Sequence, residues 1–83
     1  MEIDGRQISV VGLKQVLRAL EHDRLCTVYL AEDADASLQE RVRQACAVHG
    51  TEVVRVKAMK ELGRVCGIDV SAACAGIMRD GPA

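Results

Sequence analysis

The residues of this 83-residue chain best suited to chemistry stand together in Gly12-Leu13-Lys14-Gln15-x-x-Arg18. Gly12 has no Cβ and leaves its backbone open to close approach. A helix starting here would present N–H groups that have no intrahelical acceptor and lie at the positive end of the helix dipole, an arrangement that favours phosphate. Lys14 and Arg18 fall one turn apart and can donate charge-assisted hydrogen bonds to phosphates or to guanine O6 and N7. Gln15 offers a donor and an acceptor to a base edge. The solvated side of an ordinary surface helix carries the same residue types, so the motif alone leaves both readings open.

Other constellations are weaker. Glu32, Asp33 and Asp35 could hold a hard cation. They also sit between a strand and a capped helix, where acids suit the helix dipole and the turn, and that reading is preferred. Cys26, Cys46, Cys66 and Cys74 include no Cys-x-x-Cys pair, and small buried thiols are expected. Cys46 and His49 make a Cys-x-x-His half-site, and His22 stands four before Cys26, but neither completes a ligand set; no metal and no cofactor is expected. His22 and His49 have no evident acid or nucleophile beside them, and there is no Gly-x-Gly-x-x-Gly or Walker-type loop. Enzymatic chemistry is not expected.

The elements that would position these residues follow from apolar spacing. Leu13, Val16, Leu17 and Leu20 recur at i, i+3, i+4 and i+7, predicting an amphipathic helix over 12–22, with Lys14, Gln15 and Arg18 on its polar side. Cys26–Ala31 reads as a buried strand. Ser37 and Glu40 form a capping-box pattern for a helix over 38–49, with Leu38, Val42, Ala45 and Cys46 facing inward and Gly50 as its left-handed stop. Strands are predicted over 51–56 and 72–78, a short helix over 58–66, and a fourth short strand over 8–11. Alternating strands and helices imply a sheet covered on both faces. The small residues Ala72, Ala73, Cys74, Ala75 and Gly76 are expected to let helices approach the last strand. The chain reads as a single domain over 1–83, with 79–83 as a flexible tail.

Composition removes whole classes. With no Trp, no Phe and only Tyr29, the chain cannot bind nucleic acid by stacking bases on an aromatic platform. A formal net charge of −1 lacks the overall basicity of many nucleic-acid binders. Its distribution is uneven: 32–40 carries acids and no base, whereas 55–67 carries Arg55, Lys57, Lys60 and Arg64 against Glu61 alone, so a near-neutral chain can still present a basic face. No apolar stretch is long enough for a membrane span or a signal-peptide core, and a cytoplasmic location is expected.

Three segments, Val11-Gly12-Leu13-Lys14-Gln15, Ala31-Glu32-Asp33-Ala34-Asp35 and Met59-Lys60-Glu61-Leu62-Gly63-Arg64-Val65-Cys66-Gly67-Ile68-Asp69-Val70, together resemble the kink-turn RNA-binding ribosomal protein family. The likeness is to the archaeal large-subunit seven-Ae type, and in particular to its short bacterial homologues. It implies a three-layer α/β/α sandwich with a mixed, mostly four-stranded sheet. It also implies a site in which Lys14 and Gln15 read base edges at tandem sheared G·A pairs, Gly12 allows close approach, and Arg18 takes the usual lysine position. Leu13 stands where a small hydroxyl residue is frequent. The later loop would shield unstacked nucleotides with Ile68 and Val70, flanked by Asp69 and Ser71, with Lys60 beside the RNA. The implied partner is a kink-turn in ribosomal or regulatory RNA, bound by a monomer with no small-molecule substrate and no membrane. Because some members of the wider superfamily bind proteins, a protein-interaction module is the alternative.

Overall fold

A computed structural model of the chain describes residues 7–79. Its elements are β1 (Ile8–Val11), α1 (Leu13–Glu21), β2 (Leu25–Ala31), α2 (Ala36–His49), β3 (Glu52–Val56), α3 (Met59–Val65) and β4 (Cys74–Met78). The sheet has the order β1-β4-β2-β3. β4 runs antiparallel to both β1 and β2, and β2 runs parallel to β3. This is the three-layer sandwich with a mixed four-stranded sheet that the family resemblance implies, and its two covered faces are those that the alternation of elements implies.

Two cores sit on the two faces of the sheet. On one, Val16, Ala19 and Leu20 of α1 and Val42 and Cys46 of α2 pack on Leu25, Val28, Leu30 and Cys74. On the other, Leu62 of α3 packs with Tyr29, Val56, Ala72 and Ala75. Period-two alternation along β2 sends Val28 and Leu30 to one core and Tyr29 to the other, as a strand buried on both sides requires. Leu20, Leu25, Leu30 and Leu62 are fully buried, each contributing roughly 1.5–3 kcal/mol through removal of apolar surface from water. Large aliphatic side chains thus replace the missing aromatics. None of the helices in the described residues is long and apolar enough to cross a membrane.

The three helices of the described residues end in one device. The residue after the last turn takes a left-handed conformation, and two backbone hydrogen bonds close back onto the helix. For α2 the residue is Gly50 at φ 64°, as expected, with Gly50 N–H donating to Ala47 O and Thr51 N–H to Cys46 O at 2.8 Å. For α1 it is Asp23 at φ 54°, an acid where glycine is usual. Its carboxylate Oδ1 lies 2.7 Å from Nδ1 of His49, which clips the C-terminal ends of α1 and α2 together. His49 therefore does have an acid neighbour, contrary to expectation, but the pair joins two helix ends instead of lining a cleft.

Several local expectations need correction. The capping box does not form: α2 starts at Ala36 with Asp35 at the N-cap, and Ser37 Oγ donates to Asp35 Oδ2 at 2.7 Å. Ser37 lies inside the first turn, too late to cap, and Gln39 Nε2 closes the turn by donating to Ala34 O at 2.7 Å. β4 starts at Cys74 rather than at 72, because Ala72 N–H is drawn away to Met59 O at 3.0 Å. Gly76 makes room for neighbouring strands rather than for a helix; a Cβ there would meet Leu25 Cδ1 at 2.7 Å and Val10 Cγ2 at 3.1 Å. Of the tail expected over 79–83, residues 80–83 lie outside the described residues, whereas Arg79 is held, its N–H donating to Arg24 O at 2.7 Å.

The cysteines divide. Cys46 and Cys74 are buried, Cys66 is half-buried, and Cys26 is exposed, so the expectation of four buried thiols fails at Cys26. Burial pushes the Cys46 thiol up to about 11. At Cys74, burial and then the neighbouring Cys46 and Cys66 raise the thiol to about 11. Native protein exposed to a thiol-alkylating reagent near neutral pH should therefore be modified first at Cys26, with Cys46 and Cys74 protected until unfolding. The two buried thiols ionise more readily in the unfolded chain, so their contribution to stability is intact below about pH 9 and is lost as pH rises toward 11. Peptide mapping after timed alkylation checks this; fast native labelling at Cys46 or Cys74 would contradict the packing.

Candidate nucleic-acid interface

Strand direction gathers the relevant segments. β1, β2 and β3 finish, and β4 begins, at the same end of the sheet, with Val11 paired to Ala75 and Leu30 to Cys74. The start of α1, the turn after β2, Lys57 and the loop before β4 therefore share that end. Two backbone hydrogen bonds hold them there: Gly12 N–H donates to Cys74 O at 2.9 Å, and Ala31 N–H donates to Ala73 O at 2.9 Å. The loop running into β4 thus lies between the glycine-led helix tip and the acidic turn.

Gly12 is the N-cap of α1, at φ 101° and ψ 156°, a conformation open in practice only to glycine. Among the described residues no side chain caps this helix start, and its first turn holds no acid to offset the positive end of the dipole. Lys14, Gln15 and Arg18 are exposed and line one concavity, while Leu13 is half-buried. The Gln15 amide folds back over Gly12, since a Cβ added at Gly12 would lie 2.9 Å from Gln15 Oε1. Glycine and glutamine are therefore one spatial unit, which the spacing only hinted at.

The second segment is built by α3 and its exit. Gly67, at φ 77°, reverses the chain, with Gly67 N–H donating to Arg64 O at 3.0 Å and Ile68 N–H to Gly63 O at 3.1 Å. Ile68, Asp69, Val70 and Ser71 are all exposed, Val70 at 69% of its surface. Ile68 and Val70, two positions apart, are thus both left in water. The chain can lie this close to α3 only because position 63 has no side chain. A Cβ there would collide with the Val70 carbonyl oxygen and stand 3.0 Å from Ser71 Cα.

Gly63 was not singled out from sequence, although a glycine inside a helical pattern is a recognised sign of close packing. Asp33 was likewise read only as part of an acidic cluster. Its Oδ1 accepts a hydrogen bond from Met59 N–H at 2.8 Å, so it caps α3 from another loop. Among the described residues no cluster could hold a metal ion. The Cys46–His49 half-site is spent on packing and on the contact to Asp23.

Lys60 is exposed in the first turn of α3, with Arg64 one turn further on. Arg55 does not join them. It shares a strand face with Val53, which packs in the α1/α2 core, whereas Val54 packs in the α3 core. Arg55 and Lys60 thus lie on different sides of the sheet, so the basic residues over 55–67 do not make one face.

Comparison with known proteins agrees with this architecture. The model of the ribosomal protein L7Ae/L30e/S12e/Gadd45 family matches residues 5–83. An RNA-binding protein of Caldanaerobacter subterraneus is 46% identical over 66 residues, 80% of each chain. The RNA-binding protein YbxF of Geobacillus stearothermophilus is 41% identical over 70 residues, covering 84% of this chain and 85% of the relative. Among solved structures, a 15.5 kD RNA binding protein of Giardia lamblia superposes with a TM-score of 0.81 at 25% identity, covering 92% of this chain and 63% of that one. With the family match running through both the helix tip and the 68–71 loop, the chain belongs to the ribosomal protein L7Ae/L30e/S12e/Gadd45 family.

Proposed function

We propose that this protein is a non-enzymatic RNA-binding module that recognises a kink-turn, the sharp bend at tandem sheared G·A pairs, in ribosomal or regulatory RNA of the cytoplasm. The observation that carries the reading is the hydrogen bond from Gly12 N–H to Cys74 O, which ties an uncapped helix start to the strand that follows the exposed loop bearing Ile68 and Val70. Family membership and relatives that are RNA-binding proteins support the same class of ligand.

The division of labour follows from the chemistry. Lys14 and Gln15 reach base edges at the helix tip, and the absence of a Cβ at Gly12 lets the RNA come close. Arg18 and Lys60 meet phosphates, which fix register without reading sequence. Ile68 and Val70, flanked by Asp69 and Ser71, cover unstacked bases with aliphatic surface in place of aromatic rings. Leu13 packs inward and presents no hydroxyl to the RNA. An RNA that samples extended and bent forms is drawn to the bent one because these contacts exist together only there.

Calorimetric titration of the monomeric protein with a kink-turn RNA, beside the same RNA with its G·A pairs replaced by Watson–Crick pairs, tests the reading. Tighter binding of the first supports it; equal affinity rejects it and favours a protein-interaction module. Arg18→Ala should make the dependence of log K on log salt shallower by about 0.7 to 0.9, the change for one lost phosphate contact. An unchanged slope would place Arg18 off the backbone.

A further inference from the structure

The groove between α1 and α2 extends this interface to a residue that neither the sequence motifs nor the helix tip involve. Both helices start at the site end of the sheet, α1 after β1 and α2 after β2. The groove between them is lined by Leu13, Lys14, Leu17, Arg18 and Glu21 of α1 and by Arg41 of α2. Leu13 and Leu17 are half-buried against the core and form its apolar side. Three cations then face a single carboxylate, in a chain whose formal charge is −1 overall. Arg43, also on α2, is held by Glu40 at 3.5 Å, whereas no ion pair with a described residue engages Arg41, Arg18 or Lys14.

We propose that this groove holds the sugar–phosphate backbone of the RNA strand leaving the helix tip, with Arg41 as a phosphate contact that does not read sequence. Lys14 and Arg18 stand about 6 Å apart along the axis of α1, and Arg41 adds a third positive group across the groove. A strand that meets the tip at Lys14 is led along this row, and the half-buried leucines leave room for sugars between the charges. Polyanion is the occupant that fits, since an apolar helix would leave three cations desolvated and unpaired. The proposal rests on the RNA reading above.

The test uses the full chain, the kink-turn RNA and its Watson–Crick counterpart, each titrated at several salt concentrations. Arg41→Gln keeps helix propensity nearly constant and should make the salt dependence shallower by about 0.7 to 0.9 on both RNAs, leaving the affinity ratio between them unchanged. Arg43→Gln removes the same charge from the same helix and should leave the slope at the wild-type value. Glu21→Gln should strengthen both complexes. A wild-type slope for Arg41→Gln, or an equal loss for Arg43→Gln, overturns the proposal, the latter because charge would then act only at a distance. Should the wild type fail to tell the two RNAs apart, kink-turn recognition falls while the Arg41 slope is still read on either; binding to neither RNA overturns both.

Discussion

Gly63→Ala should destabilise the protein by roughly 1 to 3 kcal/mol, the usual range for forcing extra atoms into a packed site. In a domain this small that lowers Tm by roughly 5 to 20 °C. On propensity alone alanine would stabilise a helix by about 1 kcal/mol, so the sign of the effect separates packing from propensity. The new methyl would meet the Val70 carbonyl and Ser71 Cα, backbone atoms that no rotamer change can move aside. The 68–71 loop would have to lift from α3, carrying its aliphatic side chains with it. Thermal denaturation of the variant checks this. A Tm at or above wild type would mean that the loop yields freely and that Gly63 does not hold it in place.

Lys14→Ala and Gln15→Ala should each weaken binding to a tandem G·A RNA by roughly 1 to 3 kcal/mol, the scale of a good base-edge contact. That is about 5- to 150-fold in affinity. The loss should be much smaller on the Watson–Crick counterpart, where no sheared pair presents its edges to the tip. Both side chains are exposed and neither supports a core, so folding should be unaffected. Gln15 gives the sharper result, because its amide carries no net charge and cannot act through the general field. Undiminished affinity of both variants on both RNAs would reject the assignment of the helix tip.

Much of the fold was open to reading because periodicity reports burial directly. The i, i+3, i+4, i+7 row from Leu13 to Leu20 located α1 and its polar side, and the β-branched run before Ala31 located β2. Gly50 was recognised as a stop because few other residues enter the left-handed region cheaply. What escaped depends on partners distant in sequence. Asp33 caps a helix that begins 26 positions later, Asp23 takes a left-handed turn while holding His49, and Ala72 leaves the strand for Met59. Pattern along the chain carries none of these pairings, since each exists only once the sheet has set its order.

The candidate site shows the same division. The glycine, the lysine and the glutamine announce themselves by type and spacing, and the resemblance to a family supplied the loop. Their common location follows from β4 lying between β1 and β2 in the sheet, an order that no local pattern specifies. Gly63 and Arg41 were missed for different reasons. One matters through an empty space beside backbone, the other through a groove between helices whose adjacency is a tertiary fact.

The most direct measurement follows the distance between the two ends of a doubly dye-labelled RNA carrying tandem G·A pairs, by energy transfer, as protein is added in low salt without divalent cations. Energy transfer should rise to a plateau as the RNA bends, at protein concentrations that match binding. Gln15→Ala should shift that rise to higher concentration, and the Watson–Crick counterpart should stay extended throughout. Binding without any change in end-to-end distance, or equal bending of both RNAs, would contradict recognition of a bent form by the helix tip and the aliphatic loop acting together.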